Sequence, residues 1–125
     1  MPRIMLVDNE PDIQYLTKIM LRKEGYEVIE ASSGEECLEK LQKEEVDLIL
    51  LDILGVDGAR ILEKIKNDGK LKSIPVVMFT VVSEEKAASI FGCAGYDAYI
   101  EKPFEREAML ATVESLLSAS EKAVA

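Results

Sequence analysis

Asp47-Leu48-Ile49-Leu50-Leu51-Asp52 sets four consecutive branched aliphatic residues between two acids. A strand with one wet face alternates apolar and polar residues. An unbroken apolar run is how a strand covered on both faces reads, and such strands belong to parallel sheets with helices on either side. In open sheets of that kind, ligands gather beyond the carboxyl ends of the strands. Asp52 therefore stands where the chemistry of such a fold is expected.

Working outward from this stretch, comparable strands are predicted at Arg3–Asp8, Tyr26–Ala31, Val76–Thr80 (after Pro75) and Asp97–Glu101. Glu27 and Glu30 make the second the most polar, which suits an edge position. Amphipathic stretches separate the strands, so strand and helix alternate five times. The first helix is expected from about Pro11 to Gly25, with Ile13, Leu16 and Met20 inward and Thr17 and Leu21 beside them. Ser33 and Glu36 form a capping box for a second helix whose inward residues are Cys37, Leu38 and Leu41. A third is expected over about Gly58–Lys66, turning Ile61, Leu62 and Ile65 inward. A fourth is capped by Ser83, with Glu84 and Glu85 near its positive end. The last is expected over about Glu105–Leu117, with Met109, Leu110, Val113, Leu116 and Leu117 inward, leaving Ser118–Ala125 as a frayed tail.

At 125 residues the chain has the length of one domain. Its 48% hydrophobic and 31% charged residues suit a globule with a real core. No apolar run is long enough to span a bilayer. Met1-Pro2-Arg3-Ile4 leads directly into a strand, so no secretory leader is expected and the simplest location is the cytoplasm. With no histidine, His-based triads and His-ligated metals are excluded. Cys37 and Cys93 fall in helix-like segments without motif spacing, and no disulfide is expected in a reducing compartment. Fifteen basic and 24 acidic residues give a net charge of −9, which disfavours nucleic acid and anionic membrane as partners. For most of these acids, simple solubility is a sufficient explanation.

The strand ends carry a consistent set of side chains. Asp8, Asn9 and Glu10 follow the first strand, Asp52 ends the third, Thr80 ends the fourth, and Lys102 follows the fifth. Taken singly, an aspartate there is more often a turn residue, a threonine an ordinary strand residue, and Lys-Pro-Phe a helix start. Together on one sheet edge they make a chemical site. Asp8 and Asp52 are hard oxygen ligands suited to Mg²⁺. A carboxylate is also a competent nucleophile toward phosphorus. Lys102 and the Thr80 hydroxyl would then stabilise charge on a transferring phosphoryl group.

From Arg3 to about Leu117 the chain resembles the receiver domains of two-component response regulators, the CheY-like family. The matching motifs are Leu6-Val7-Asp8-Asn9-Glu10-Pro11, Asp47–Asp52, Pro75–Thr80, Ala94-Gly95-Tyr96-Asp97-Ala98-Tyr99 and Glu101-Lys102-Pro103-Phe104. The resemblance implies a single receiver domain over residues 1–125, with its core in 3–117. It also implies a doubly wound, flavodoxin-like five-stranded parallel sheet in the order 2-1-3-4-5 with five helices. Asp52 would be the phosphoacceptor. Mg²⁺ would be held by Asp8, Asn9, Asp52 and the Leu54 carbonyl, and the phosphoryl group by Thr80 and Lys102. Tyr99 would be a switch residue acting with Thr80, and the Lys102–Pro103 peptide would be cis. The donor would be a sensor histidine kinase or phosphotransfer protein. The downstream target would be a protein of unknown identity, and a phosphorylation-dependent homodimer stays open. The chain would be a signalling switch, not an enzyme.

Several positions depart from the family pattern. Asn9 replaces a second aspartate, which predicts weaker Mg²⁺ binding. The loop Asp52-Ile53-Leu54-Gly55-Val56-Asp57-Gly58 is about two residues short and lacks the family's Met-Pro pair, with Gly55 available for a tight turn. Val81 replaces a small residue after Thr80. Leu54 and Val82, two residues past Asp52 and Thr80, are apolar and cannot orient an attacking water, so slow self-dephosphorylation is expected. One rival reading is a phosphorylation-independent scaffold. A flavin protein of the same topology is disfavoured by Asp-Asn-Glu-Pro after the first strand, and an aspartyl phosphatase by Leu54 in place of a second aspartate.

Overall fold

The computed structural model describes residues 1–124. Five parallel strands, β1 (Arg3–Val7), β2 (Glu27–Ala31), β3 (Leu48–Leu51), β4 (Val76–Thr80) and β5 (Ala98–Glu101), form one sheet in the order β2-β1-β3-β4-β5. Helices α1 (Pro11–Lys23), α2 (Gly34–Lys43), α3 (Gly58–Asn67), α4 (Glu84–Phe91) and α5 (Arg106–Val124) alternate with them. The chain thus has the flavodoxin-like, CheY-like fold.

The two-residue period of the strands divides the core into two layers. Met5, Val7, Ile49, Leu51, Val76 and Met78 face α2, α3 and α4, where they meet Cys37, Leu41, Ile61, Leu62, Ile65 and Ala87. Ile4, Leu6, Leu48, Leu50, Val77 and Phe79 face α1 and α5, where they meet Leu21, Met109, Val113 and Leu117. The three central strands are buried on both faces, as their unbroken apolar runs require. At the β2 edge, Glu27 pairs with Arg3 at 3.2 Å and Glu30 with Lys18 at 2.6 Å, leaving a charged rim unsuited to further strand pairing.

The helix starts follow local chemistry. The Ser33 and Ser83 hydroxyls accept from the Glu36 and Lys86 amides. Glu36 completes its capping box one residue early, accepting from the Ser32 amide at 2.7 Å.

Three expectations are corrected. Leu16 is 54% exposed, and Gln14 is buried in its place beside the expected Thr17 and Leu21. Ile13 and Met20 still pack partly buried against the core beside them. A helix turns about 100° per residue, so Leu16 lies about 200° from Gln14, and Gln14, which bonds to the strand ends, takes the inward side. Cys93 is not helical. Gly92, at φ 65°, ends α4, and Cys93 lies buried in the following loop. Finally, α5 continues to Val124 in place of a tail from Ser118, since nothing in Ser118–Val124 breaks a helix, while Ala125 lies outside the described residues. Both cysteines are free. Burial pushes the Cys37 thiol up to about 12 and raises that of Cys93.

Candidate functional site

The carboxyl ends of β1, β3, β4 and β5 bring the strand-end residues to one edge. Asp8 is fully buried and Asp52 is 4% exposed. Lys102 reaches both, with Nζ 2.5 Å from Asp8 Oδ2 and 3.2 Å from Asp52 Oδ2. The other carboxylate oxygens are held by backbone. Asp8 Oδ1 accepts from the Glu10 amide at 2.9 Å, and Asp52 Oδ1 from the Ile53 amide at 2.7 Å. The ammonium also lies 4.9 Å from the centre of the Phe79 ring, which is itself 4.9 Å from that of Phe104. Lys102 is thus fixed by two acids and an aromatic face. Its amide donates to the Thr80 carbonyl at 2.7 Å, tying the β5 end to the β4 end, and the Lys102–Pro103 peptide is cis.

Two buried carboxylates against one ammonium leave a net negative cluster, which is expensive away from water. Among the described residues no group of three or more Asp, Glu, Cys or His side chains forms a metal cage. A hard divalent cation that binds through one or two carboxylates and otherwise keeps its waters fits this donor set.

The remaining residues are distributed around this centre. Thr80 is buried, and its hydroxyl accepts from the Val82 amide at 3.3 Å within its own loop. Tyr99 donates its hydroxyl to the Val82 carbonyl at 2.6 Å, and Tyr96, packed edge-on against it, donates to Glu84 at 2.6 Å. Both phenols are pushed up to about 12, Tyr99 chiefly by burial and Tyr96 chiefly by its bond to the Glu84 carboxylate. Leu54 is half-exposed on the loop after β3, and Asn9 is exposed on the loop after β1. These two loops meet at Gly55, where φ is 79° and a Cβ would fall 2.2 Å from Asn9 Nδ2. The shortened loop therefore closes on a residue without a side chain. Gly58 is equally constrained, since a Cβ there would sit 1.9 Å from the Asp52 carbonyl oxygen.

Sequence reasoning missed Gln14, Phe79 and Gly58. Gly58 had a signal, an Asp-Gly pair directly before a helix. Phe79 had none, because the last turn of an apolar strand looks like core.

A family model for the response regulator receiver domain matches residues 4–114. The chain is a receiver domain of the two-component response regulator family. It is 34% identical over 98% of its length to the DNA-binding dual master transcriptional regulator RpaA of Synechocystis sp., covering 52% of that protein. It spans about half the length of the transcriptional regulators it matches. Among solved structures it resembles a CheY-like receiver domain protein from Methanospirillum hungatei, with TM-score 0.84, 36% identity and 98% of each chain covered. It also resembles the response regulator TrrA of Thermotoga maritima in complex with Mg²⁺-BeF, with TM-score 0.80 and 33% identity, covering 93% of this chain and 99% of that one. Receiver domains are signalling switches phosphorylated by sensor kinases or phosphotransfer proteins, and Mg²⁺ binding is established among the structural neighbours of this one. Among the described residues, no helix is long and apolar enough to cross a membrane.

Proposed function

We propose that this receiver domain, spanning residues 1–125 as one unit, takes a phosphoryl group onto Asp52 from a sensor histidine kinase or phosphotransfer protein. The observation that carries the proposal is the buried Asp8–Lys102–Asp52 cluster at the carboxyl edge of the sheet. An Asp52 carboxylate oxygen forms a bond to phosphorus as the donor's bond to phosphorus breaks and its electron pair leaves with the donor. Asp8, Asn9, Asp52 and the Leu54 carbonyl would hold Mg²⁺, which when bound supplies positive charge to the phosphoryl oxygens. Lys102 pairs with the arriving phosphoryl group and the Thr80 hydroxyl hydrogen-bonds it, so the chain assists its own phosphorylation without turning over as an enzyme.

The Thr80 hydroxyl accepts from the Val82 amide and keeps its own proton to donate to that group, so its shift toward the group pulls on Val82. Tyr99 is bonded to the same residue, so the loop after β4 and the β5 aromatic move together. The switch then alters the α4–β5–α5 face, which a protein target reads and on which a phosphorylation-dependent homodimer would form. Direct contact with nucleic acid or membrane is disfavoured by the charge of −9, and the domain acts in the cytoplasm.

Incubation with acetyl phosphate, with and without Mg²⁺, followed by intact-mass measurement tests this reading. One phosphoryl adduct that needs Mg²⁺ and is lost in Asp52→Asn is expected. No adduct on folded protein would favour a phosphorylation-independent scaffold. The decay of the adduct is expected to be slow, because Leu54 and Val82 cannot orient water, and rapid loss would refute that role.

A further inference from the structure

Gln14 is a polar residue in the apolar interface between α1 and the sheet, only 8% exposed. Its side-chain nitrogen donates to two backbone carbonyls, those of Asp8 and Ala31, at 3.2 Å each. The strand ladder explains why the Asp8 carbonyl needs it. The last paired residue of β1 is Val7, opposite Ala31 on one side and Leu51 on the other. One residue later the Asp8 amide still donates to the Ala31 carbonyl, at 3.1 Å. The Asp8 carbonyl has moved beyond the paired residues, and Gln14 meets it there. A buried carbonyl left unmet is costly, so the amide secures the local backbone.

The consequence reaches the acid site. The Asp8 peptide is held on its N–H side by β2 and on its C=O side by α1, which fixes the direction of its Cα–Cβ bond. From that anchor Oδ1 takes the Glu10 amide and Oδ2 takes Lys102. We propose that Gln14 is a positioning residue of the phosphoacceptor site, orienting the Asp8 carboxylate for a divalent cation through the Asp8 main chain. This rests on the reading of the site as one that holds Mg²⁺. Partners that orient metal ligands from behind typically change affinity by about 10- to 100-fold when removed. Gln14 acts through the backbone, so the lower end, about tenfold, is expected.

The test is an equilibrium Mg²⁺ titration by calorimetry on wild type, Gln14→Met, Gln14→Asn and Leu21→Ala, each with a thermal melt. Methionine matches the length of glutamine without its donors, and asparagine keeps an amide one methylene too short to span the gap. Leu21→Ala damages the same helix interface away from Asp8. The proposal expects about tenfold weaker Mg²⁺ binding in both Gln14 variants and unchanged binding in Leu21→Ala despite its lower melting temperature. If Gln14→Met does not fold, Gln14→Asn carries the comparison. Wild-type affinity in a folded Gln14 variant would overturn the proposal and leave Gln14 a filler of backbone bonds. An equal loss in Leu21→Ala would overturn it too, assigning the effect to general destabilisation. Failure of the wild type itself to bind Mg²⁺ would instead overturn the reading of the site.

Discussion

The two ends of this sheet use the same residue types to opposite effect. At the amino-terminal end, Asp97 takes the Lys66 ammonium and the Val76 amide at 2.8 Å each, and Asp47 takes the Arg3 amide at 2.7 Å. The Asp97 and Lys66 side chains remain 39% and 22% exposed, so charge is matched and water is near. At the carboxyl end, Asp8 and Asp52 share Lys102 with almost no exposure. The first arrangement staples β4 to the segment entering β5 at little electrostatic cost. The second concentrates unbalanced charge where water cannot screen it, which stability alone would not select. One end holds the sheet together, and the other holds a buried, unbalanced charge at a cost in stability.

Breaking each end in turn sharpens the contrast. Lys102→Met leaves two buried carboxylates facing each other and is expected to lower unfolding stability by about 3 kcal/mol, read by urea denaturation without divalent cations. A loss under about 1 kcal/mol would show that water already relieves the cluster. Asp97→Ala removes one ion pair and one amide acceptor and is expected to cost about 1.5 kcal/mol by the same measurement. Asp52→Asn should move the other way, gaining about 1 kcal/mol while abolishing phosphorylation, because it balances Asp8 against Lys102 and keeps an oxygen for the Ile53 amide. A destabilised Asp52→Asn protein would contradict the claim that the site is held at a cost.

The loop after β4 offers a third design, anchored by neutral phenols. Tyr99 has its pKa raised to about 12, above its ordinary 10.0, mainly by burial. The folded state therefore keeps this proton longer than the unfolded chain. Its contribution is complete below pH 10 and is lost as pH rises toward 12. Melting temperature should fall less steeply across that window in Tyr99→Phe than in wild type, with no difference in pH dependence near neutrality. Parallel profiles would remove Tyr99 from the pH response and leave it to Tyr96, whose pKa is raised into the same range.

Much of this was legible in the residues. Unbroken apolar runs ending in Asp8, Asp52 and Thr80, with Lys102 after a fifth strand, specify a parallel sheet and the edge where its chemistry collects, because strand direction alone decides which ends share a side. Gly55 marked a tight turn, and its φ of 79° is the result. The burial of Gln14 in place of Leu16 on α1 was not legible, since hydrophobicity favours the wrong one. Nor could spacing reveal that Lys102 bonds both acids, that the ring of Phe79 supports it, or that Asn9 closes on Gly55. Periodicity and strand ends are properties of the chain read locally, and so they were determined by sequence alone. The inward turn of Gln14 and the sharing of one ammonium by two carboxylates were decided only by the tertiary structure, because each depends on unsatisfied groups that elements distant in sequence bring within hydrogen-bond reach.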